Sequence, residues 1–432
     1  MAKAQFQAPR GTRDILAPDT DRWRALSAVF ADLAGRFGYG QVTTPIFEDI
    51  GVFLRIGEST DVVTKEMFDF YDKGDPPQHL ALRPELTASI CRAYAEHRPT
   101  PPWKVWYEGP QFRYEKPQAG RYRQFSQVGV EVLGPDDPAA DVEVITLGWR
   151  FYEALGMREV RLYVNSLGDP TCRPAYMEAL GSYLRDSADR LSQQSRDTLA
   201  KNPLRVLDSK RSQDQDVIAG APLMVDYLTP DCAEHFAYVA QGLEALGIPF
   251  EISPRLVRGL DYYTRTTFEF VSAALDSAQN AVGGGGRYDQ LVEDLGGPPT
   301  PGIGFALGVD RILLACDAEG VFATPDPLVD VFVVDMTDGT QATALTDELR
   351  QAGLGADRSF GGRSVKAQMK VADRSRARLA ILVGEDELAR GVVTVRDLRA
   401  ETQQHQIPRA TVATELTRML ANLPPPATET PT

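Results

Sequence analysis

Three arginines stand beside glycines or apolar residues, where a cation is unexpected. Arg258 lies in Leu256-Val-Arg-Gly-Leu-Asp-Tyr-Tyr-Thr264, flanked by apolar residues and followed by a glycine. A guanidinium held at a partly buried place needs an anion, and phosphate suits its planar five-donor fork. The same string fits an Arg258–Asp261 pair beside two core tyrosines equally well. Arg311 follows Gly302-Ile-Gly-Phe-Ala-Leu-Gly308, which reads as a strand of small residues feeding a helix. Arg113 ends a strand-like stretch on which Gly109, Gln111 and Arg113 share a face at the two-residue period. No Ser/His/Asp or Cys/His arrangement offers a nucleophile. Three cations without a nucleophile suit phosphoryl or nucleotidyl transfer, where stabilising charge is most of the catalysis.

Other polar residues fall near these cations in the pattern. The stretches 103–114 and 122–133 read as a long hairpin, whose second strand puts Phe125, Gln127, Gly129 and Glu131 on one face. Such a face is either turned to solvent or built for a ligand. Glu85 and Thr87 read as the exposed first turn of a helix opened by Pro84, where they could meet a ligand amine. Tyr262 and Tyr263 place hydroxyls on opposite sides of an extended chain. Ala281-Val-Gly-Gly-Gly-Gly-Arg-Tyr-Asp289 reads as a strand, a glycine run and the start of a helix. Such a run lets backbone approach a flat ligand, or is simply a tight turn.

The elements that must position these residues follow from periodicity. Residues 21–37 form an amphipathic helix through Trp23, Leu26, Val29, Phe30, Leu33 and Phe37. A further helix uses Val144, Leu147, Phe151 and Leu155 and stops at Gly156. Residues 170–250 are helical and polar and read as an inserted module, with Phe236, Val239, Leu243 and Leu246 as one stripe. Strands and glycine turns return over 256–312. A proline joint at 324–327 precedes a C-terminal block with strands at 331–334, 379–383 and 392–395 and helices near 340–352 and 364–377. Apolar strands alternating with helices predict a small α/β domain with a mostly parallel sheet.

Composition narrows the class. The 432 residues, 43% hydrophobic and 25% charged, describe an ordinary globular chain. No apolar run approaches the roughly 18 residues of a membrane span, and the N-terminus lacks a signal-peptide core. Cys91, Cys172, Cys232 and Cys316 are far apart, without a CxxC, and the four histidines form no close pair. Neither a disulfide framework nor a zinc site is expected, and the expected compartment is the cytoplasm. The net charge of −14 is the wrong sign for a protein that coats nucleic acid. Yet Arg358, Arg363, Lys366, Lys370, Arg374, Arg376 and Arg378 face a single acid, Asp373, in that stretch. This is a solvated helix face or a surface for a polyanion.

Taken in order, these segments resemble the signatures of class II aminoacyl-tRNA synthetases, and specifically the histidyl-tRNA synthetase family. Gly38–Glu48 is similar to motif 1, Phe112-Arg113 with the loop to Arg121 and Tyr122–Phe125 to motif 2, and Gly302–Arg311 to motif 3. Leu256–Tyr263 and Gly284–Asp289 resemble the two histidine-specific signatures, and Arg10–Asp14 the N-terminal one. The resemblance implies an α+β chain: an antiparallel catalytic sheet flanked by helices over 1–325, a helical insertion at about 170–250, and an α/β anticodon-binding domain over 326–421. Residues 422–432 would be a disordered tail. It further implies a homodimer, with ATP, L-histidine and tRNA(His) as partners, Mg2+ bound with ATP, and no membrane. Arg113 and Arg258 would hold the α-phosphate and Arg311 the γ-phosphate. Glu85 and Thr87 would take the amino group, Gln127 the reacting end, and Glu131 and Tyr263 the imidazole, with Tyr262 beside them. Many bacterial members have Gly where Leu86 stands and His where Ser126 stands; Leu86 would narrow the pocket mouth. A non-catalytic regulator of histidine biosynthesis is the rival within the resemblance, but such proteins generally lack the C-terminal domain and the arginine signatures.

Overall fold

The computed structural model describes residues 5–55, 63, 65–276, 280–325, 329–399 and 404–423. The chain is α+β and divides into two units, Met1–Phe322 and Ala323–Thr432. In chain order the first unit holds β1 (Gly40–Gln41), β2 (Phe47–Asp49), β3 (Phe68–Tyr71), β4 (His79–Leu82), β5 (Trp103–Phe112), β6 (Gln124–Leu133), β7 (Val160–Ser166), β8 (Glu251–Ile252), β9 (Thr264–Ser272), β10 (Ala281–Tyr288) and β11 (Gly302–Gly308). Eight of these form one sheet in the order β1-β5-β6-β11-β10-β9-β7-β8, and β2-β4-β3 form a small second sheet. From β5 through β6, β11, β10 and β9 to β7, each adjacent pair is antiparallel. The two-residue edge strands β1 and β8 run parallel to theirs, so the sheet is mixed rather than wholly antiparallel. Each edge strand is separated from its partner by a long connection, which a parallel pair requires.

One face of this sheet is a dry core. Val128, Val130 and Val132 of β6, Ile303, Phe305 and Leu307 of β11, and Phe268 and Phe270 of β9 pack in one cluster with Phe30 and Phe151. Phe30 comes from helix Asp19–Arg36, which buries Leu26, Phe30 and Leu33 at helical spacing. Phe151 comes from helix Pro138–Ala154, and the two rings meet edge to face at 5.0 Å.

The insertion has a core of its own. Helices Arg173–Asp186, Gln193–Leu199 and Ser212–Ala219 surround Tyr176, Leu180, Leu184, Val206, Val217 and Met224. Helix Pro230–Ala245, read from sequence as part of that module, sends Phe236, Val239 and Leu243 into the main core instead. Its stripe is apolar enough to join either cluster, and only tertiary packing assigns it.

The C-terminal unit holds β12 (Val331–Asp335), β13 (Ala356–Arg358), β14 (Leu379–Val383), β15 (Val392–Asp397) and β16 (His405–Pro408), in the order β13-β12-β14-β15-β16. β12 is parallel to β13 and β14, whereas β14–β15 and β15–β16 are antiparallel. The expected mostly parallel sheet is thus half antiparallel. The link from β14 to β15 is too short for a parallel crossover, which takes about a dozen residues. Interior strand β12 is buried on both faces, with Val331 and Val333 in one cluster and Phe332 and Val334 in another. Helix Val365–Arg374 stops before the expected 377 and leaves Lys366, Lys370 and Arg374 exposed at four-residue steps. Residues 424–432, most of the expected disordered tail, lie outside the described residues.

Candidate active site

The opposite face of the large sheet forms the floor of a cavity of about 350 Å3. Strand alternation supplies that floor: Phe125 and Gln127 from β6, Gly304, Ala306 and Gly308 from β11, Gly284 from β10 and Glu269 from β9. Register places these side by side, with Gly308 opposite Gln127, Gly284 opposite Ala306 and Glu269 opposite Gly284. The polar hairpin face predicted from sequence is therefore neither core nor open solvent. Glycines 283–286 lie within β10 rather than in a turn before a helix, flanked on both sides by paired strands.

All three arginines line this cavity. The Arg258 guanidinium donates from Nη1 to Glu269 Oε2 at 2.7 Å, and its Nε is buried without a partner among the described residues. Asp261 is paired with Arg205 at 3.0 Å, whereas the ion pair of Arg258 among the described residues is with Glu269. Gly284 makes room for Arg258: a Cβ there would lie 2.7 Å from Nη1. Burial works against the charge on Arg258, but neighbouring Tyr263 and Glu269 outweigh it. Arg113 donates from Nε to Pro84 O at 2.9 Å and lies over the Phe125 ring. Arg311 donates from Nη1 to Ala281 O at 2.8 Å. Burial, followed by the nearby charge of Arg121, holds the Arg311 guanidinium below its usual range.

Glu85 and Thr87 line the cavity but are buried, not exposed as expected. Helix Thr87–His97 begins three residues beyond Pro84, and the Glu85 carboxylate accepts from the Thr87 and Ala88 backbone N–H groups, each at 2.8 Å. Burial pushes the Glu85 carboxyl above the usual range. Thr87 Oγ1 donates to Glu131 Oε1 at 2.8 Å, and the Tyr288 hydroxyl donates to Oε2 at 2.5 Å. Glu131 is fully buried beneath Gly304, where a Cβ would lie 1.7 Å from Oε2. Burial pushes its carboxyl up to about 8. Gln127 lines the cavity with Oε1 buried and unpartnered among the described residues. Tyr262 and Tyr263 both line the cavity from a loop, with ring centroids 4.6 Å apart, rather than on opposite sides of an extended chain. Leu86 is 2% exposed and packs with Ile90, Tyr107 and Tyr288, away from the cavity lining.

The structure adds residues that the sequence reading passed over. Glu269 sits between Phe268 and Phe270, and a charge alternating with aromatics on a strand is the signal that would have found it. Tyr288 shares the face of Gly284 and Gly286 on β10 by the same rule. Glu115 and Tyr122, from the loop between β5 and β6, also line the cavity. The N-terminal stretch packs here as well: Arg13 pairs with Asp310 at 2.8 Å and lies over the Tyr122 ring. Away from the cavity, Asp169, Cys172 and Cys232 gather within 4.8 Å, but the Asp169 carboxylate already accepts from the Thr171 and Cys172 backbone.

A histidyl-tRNA synthetase family model matches residues 11–312, and an anticodon binding domain model matches residues 329–419. A histidine–tRNA ligase of Rhodococcus erythropolis is 49% identical, covering 96% of this chain and 99% of that protein. One from Desulforudis audaxviator is also 49% identical, over 91% of this chain and 94% of its own length. The apo histidyl-tRNA synthetase of Staphylococcus aureus superposes with a TM-score of 0.79 at 35% identity, covering 95% of this chain and 99% of that one. With most of its first unit matched by that family model and nearly its full length shared with such relatives, the chain belongs to the histidyl-tRNA synthetase family.

Proposed function

We propose that the cavity activates L-histidine with ATP and transfers it to the 3′ end of tRNA(His). A histidine carboxylate oxygen attacks the α-phosphorus, the bond to the β-phosphate oxygen breaks, and pyrophosphate leaves with that electron pair. The terminal ribose hydroxyl of the tRNA then attacks the histidyl carbonyl and loses its proton, the bond from the carbonyl carbon to the phosphate oxygen breaks, and AMP leaves with that electron pair. Arg113 and Arg258 hold the α-phosphate and offset the charge that grows on its oxygens; Arg311 takes the γ-phosphate. Gln127 Oε1, without a partner among the described residues, is an acceptor for the amino acid's ammonium N–H beside the reacting carboxylate. Glu85 and Thr87 form the wall for its ammonium group. Glu131, buried behind Gly304 outside the cavity lining and held by Thr87 and Tyr288, accepts from the imidazole with Tyr263 and Tyr262 beside it.

The observation that carries this reading is Arg258, its Nε without a partner among the described residues, laid on the bare backbone of Gly284 beside Tyr263 in the cavity that Gln127 also lines. Mg2+ fits as the ion that ATP brings. Glu115 and Glu269 line the cavity, are partly exposed, and offer the hard oxygen ligands it takes beside phosphates. Its chemistry is to neutralise phosphate charge. The basic face of helix Val365–Arg374 suits an anticodon stem, and the same reading makes the protein a cytoplasmic homodimer.

ATP–pyrophosphate exchange tested with each of the twenty amino acids decides the matter. Exchange with histidine alone is expected. Exchange with none would favour the non-catalytic regulator, and exchange with another amino acid would reassign the pocket.

A further inference from the structure

The loop that carries Arg258, Tyr262 and Tyr263 is held largely from the helical insertion. Arg205, in the short 3₁₀ helix Pro203–Asp208, donates from Nη2 to Gly259 O at 2.6 Å and to Asp261 Oδ1 at 3.0 Å. Asn202 Nδ2 donates to the same Asp261 oxygen at 3.3 Å, while its own Oδ1 caps that turn by accepting from Leu204 N–H. Arg173, opening helix Arg173–Asp186, donates to Tyr263 O at 2.5 Å and to Leu167 O at 3.3 Å. A second cavity of about 300 Å3 lies along these residues and shares Val257, Arg258, Leu260 and Tyr263 with the first.

We propose that Arg205, with Asn202 behind it, is a positioning residue for histidine activation. The inference rests on the function proposed above and extends it to a residue outside the reaction cavity. Residues 256–263 have no helix or strand hydrogen bonds to hold them. Gly259, next to Arg258, brings no side chain to anchor the loop and the widest backbone freedom of any residue. Arg205 restrains the backbone on the far side of Arg258 through the Gly259 carbonyl, and Asp261 ties the next turn to the same guanidinium. A catalytic group misplaced by about 1 Å commonly costs 10²-fold in rate, so a restraint of this kind reads out in turnover. Both bonds leave one nitrogen, Nη2, which lies one atom further along the side chain than a lysine Nζ.

The test uses the full chain carrying Arg205→Ala, Arg205→Lys or Arg258→Ala, with exchange kinetics and melting temperature measured for each. Arg205→Ala is expected to lose about 10- to 100-fold in kcat for exchange and to raise KM for histidine, with KM for ATP and melting temperature close to wild type. Arg205→Lys should recover only part of the loss, and added methylguanidinium, which the second cavity can admit, should raise the rate of Arg205→Ala but not of Arg205→Lys. Wild-type kcat and histidine KM in Arg205→Ala would overturn the proposal. So would a loss that follows melting temperature and ignores methylguanidinium. If Arg205→Ala does not fold, Asp261→Asn decides, with the same kcat and KM pattern expected and wild-type kinetics overturning the idea. Undiminished exchange in Arg258→Ala would instead refute the reading of the site itself.

Discussion

The two faces of the large sheet are made by the same strands and obey opposite rules. One face buries Val128, Val130, Val132, Ile303, Phe305, Leu307, Phe268 and Phe270 under helices. The other shows Gln127, Glu131, Gly304, Gly284 and Glu269, the alternate residues of those strands. The first gains stability from apolar area removed from water. The second keeps a buried acid pushed up to about 8, glycines with no room for a methyl, and an acceptor, Gln127 Oε1, without a partner among the described residues. Such groups cost stability where they stand. The difference teaches that the apolar face stabilises the sheet so that the polar face can be shaped for a ligand.

The largest test of that contrast is on the apolar face. Phe270→Ala should cost about 3–5 kcal/mol of stability, measured by urea unfolding, while the folded fraction keeps its exchange rate within a few-fold. A large loss of turnover without loss of stability would erase the distinction between the faces. Gly304→Ala acts on the other side, since its methyl would strike Glu131 Oε2 and the Val130 carbonyl. Overpacking of this kind costs about 1–3 kcal/mol, and histidine activation should disappear in protein that still folds; normal exchange would show that Glu131 does not need its place.

Glu131 sharpens the comparison through pH. Its carboxyl titrates at about 8 in the folded chain, above the ordinary carboxyl value. Between those two pH values the unfolded chain has lost a proton that the folded chain retains. Stability of the ligand-free protein should therefore fall as pH rises through that window, by up to about 1.4 kcal/mol per unit, and level off above about pH 8. Glu131→Gln should reduce that slope and leave the part that Glu85, also pushed up by burial, contributes; an unchanged slope would place the titration elsewhere. Glu131→Ala should raise KM for histidine and leave KM for ATP nearly unchanged; the reverse pattern would make it a nucleotide contact.

The smallest effect concerns the C-terminal unit. Lys366→Ala should weaken tRNA binding and lower the slope of log affinity against log salt by about one. An unchanged slope would make this a merely solvated face.

Local pattern carried much of the fold. The hairpin of β5 and β6, the helix through Leu26, Phe30 and Leu33, and strands β12 and β14 follow from periodicity alone, because their burial is set by one simple rhythm each. The glycine run of β10 reads locally as a turn; it is a strand because β9 and β11 close in on both sides, which no local propensity encodes. Helix Pro230–Ala245 was legible as a helix but not its partner, since an apolar stripe does not name the core it joins. At the site, residue types pointed to Arg113, Arg258, Arg311 and Gln127. They could not show that Glu85 caps a helix or that Glu269, not Asp261, faces Arg258. Those are contacts between segments far apart in the chain.

The central claim is that the polar face serves chemistry and not the fold, and Arg258 tests it most directly. Adenylate formation, histidine binding and melting temperature should be measured together for Arg258→Ala and Arg258→Lys. The account predicts that both variants stay folded, bind histidine within a few-fold of wild type, and lose adenylate formation by on the order of 10²–10³. Lysine should not rescue fully, because it keeps the charge and loses the planar fork. Variants that melt earlier while their folded fraction keeps full turnover would contradict it, leaving Arg258 and Glu269 as a structural ion pair.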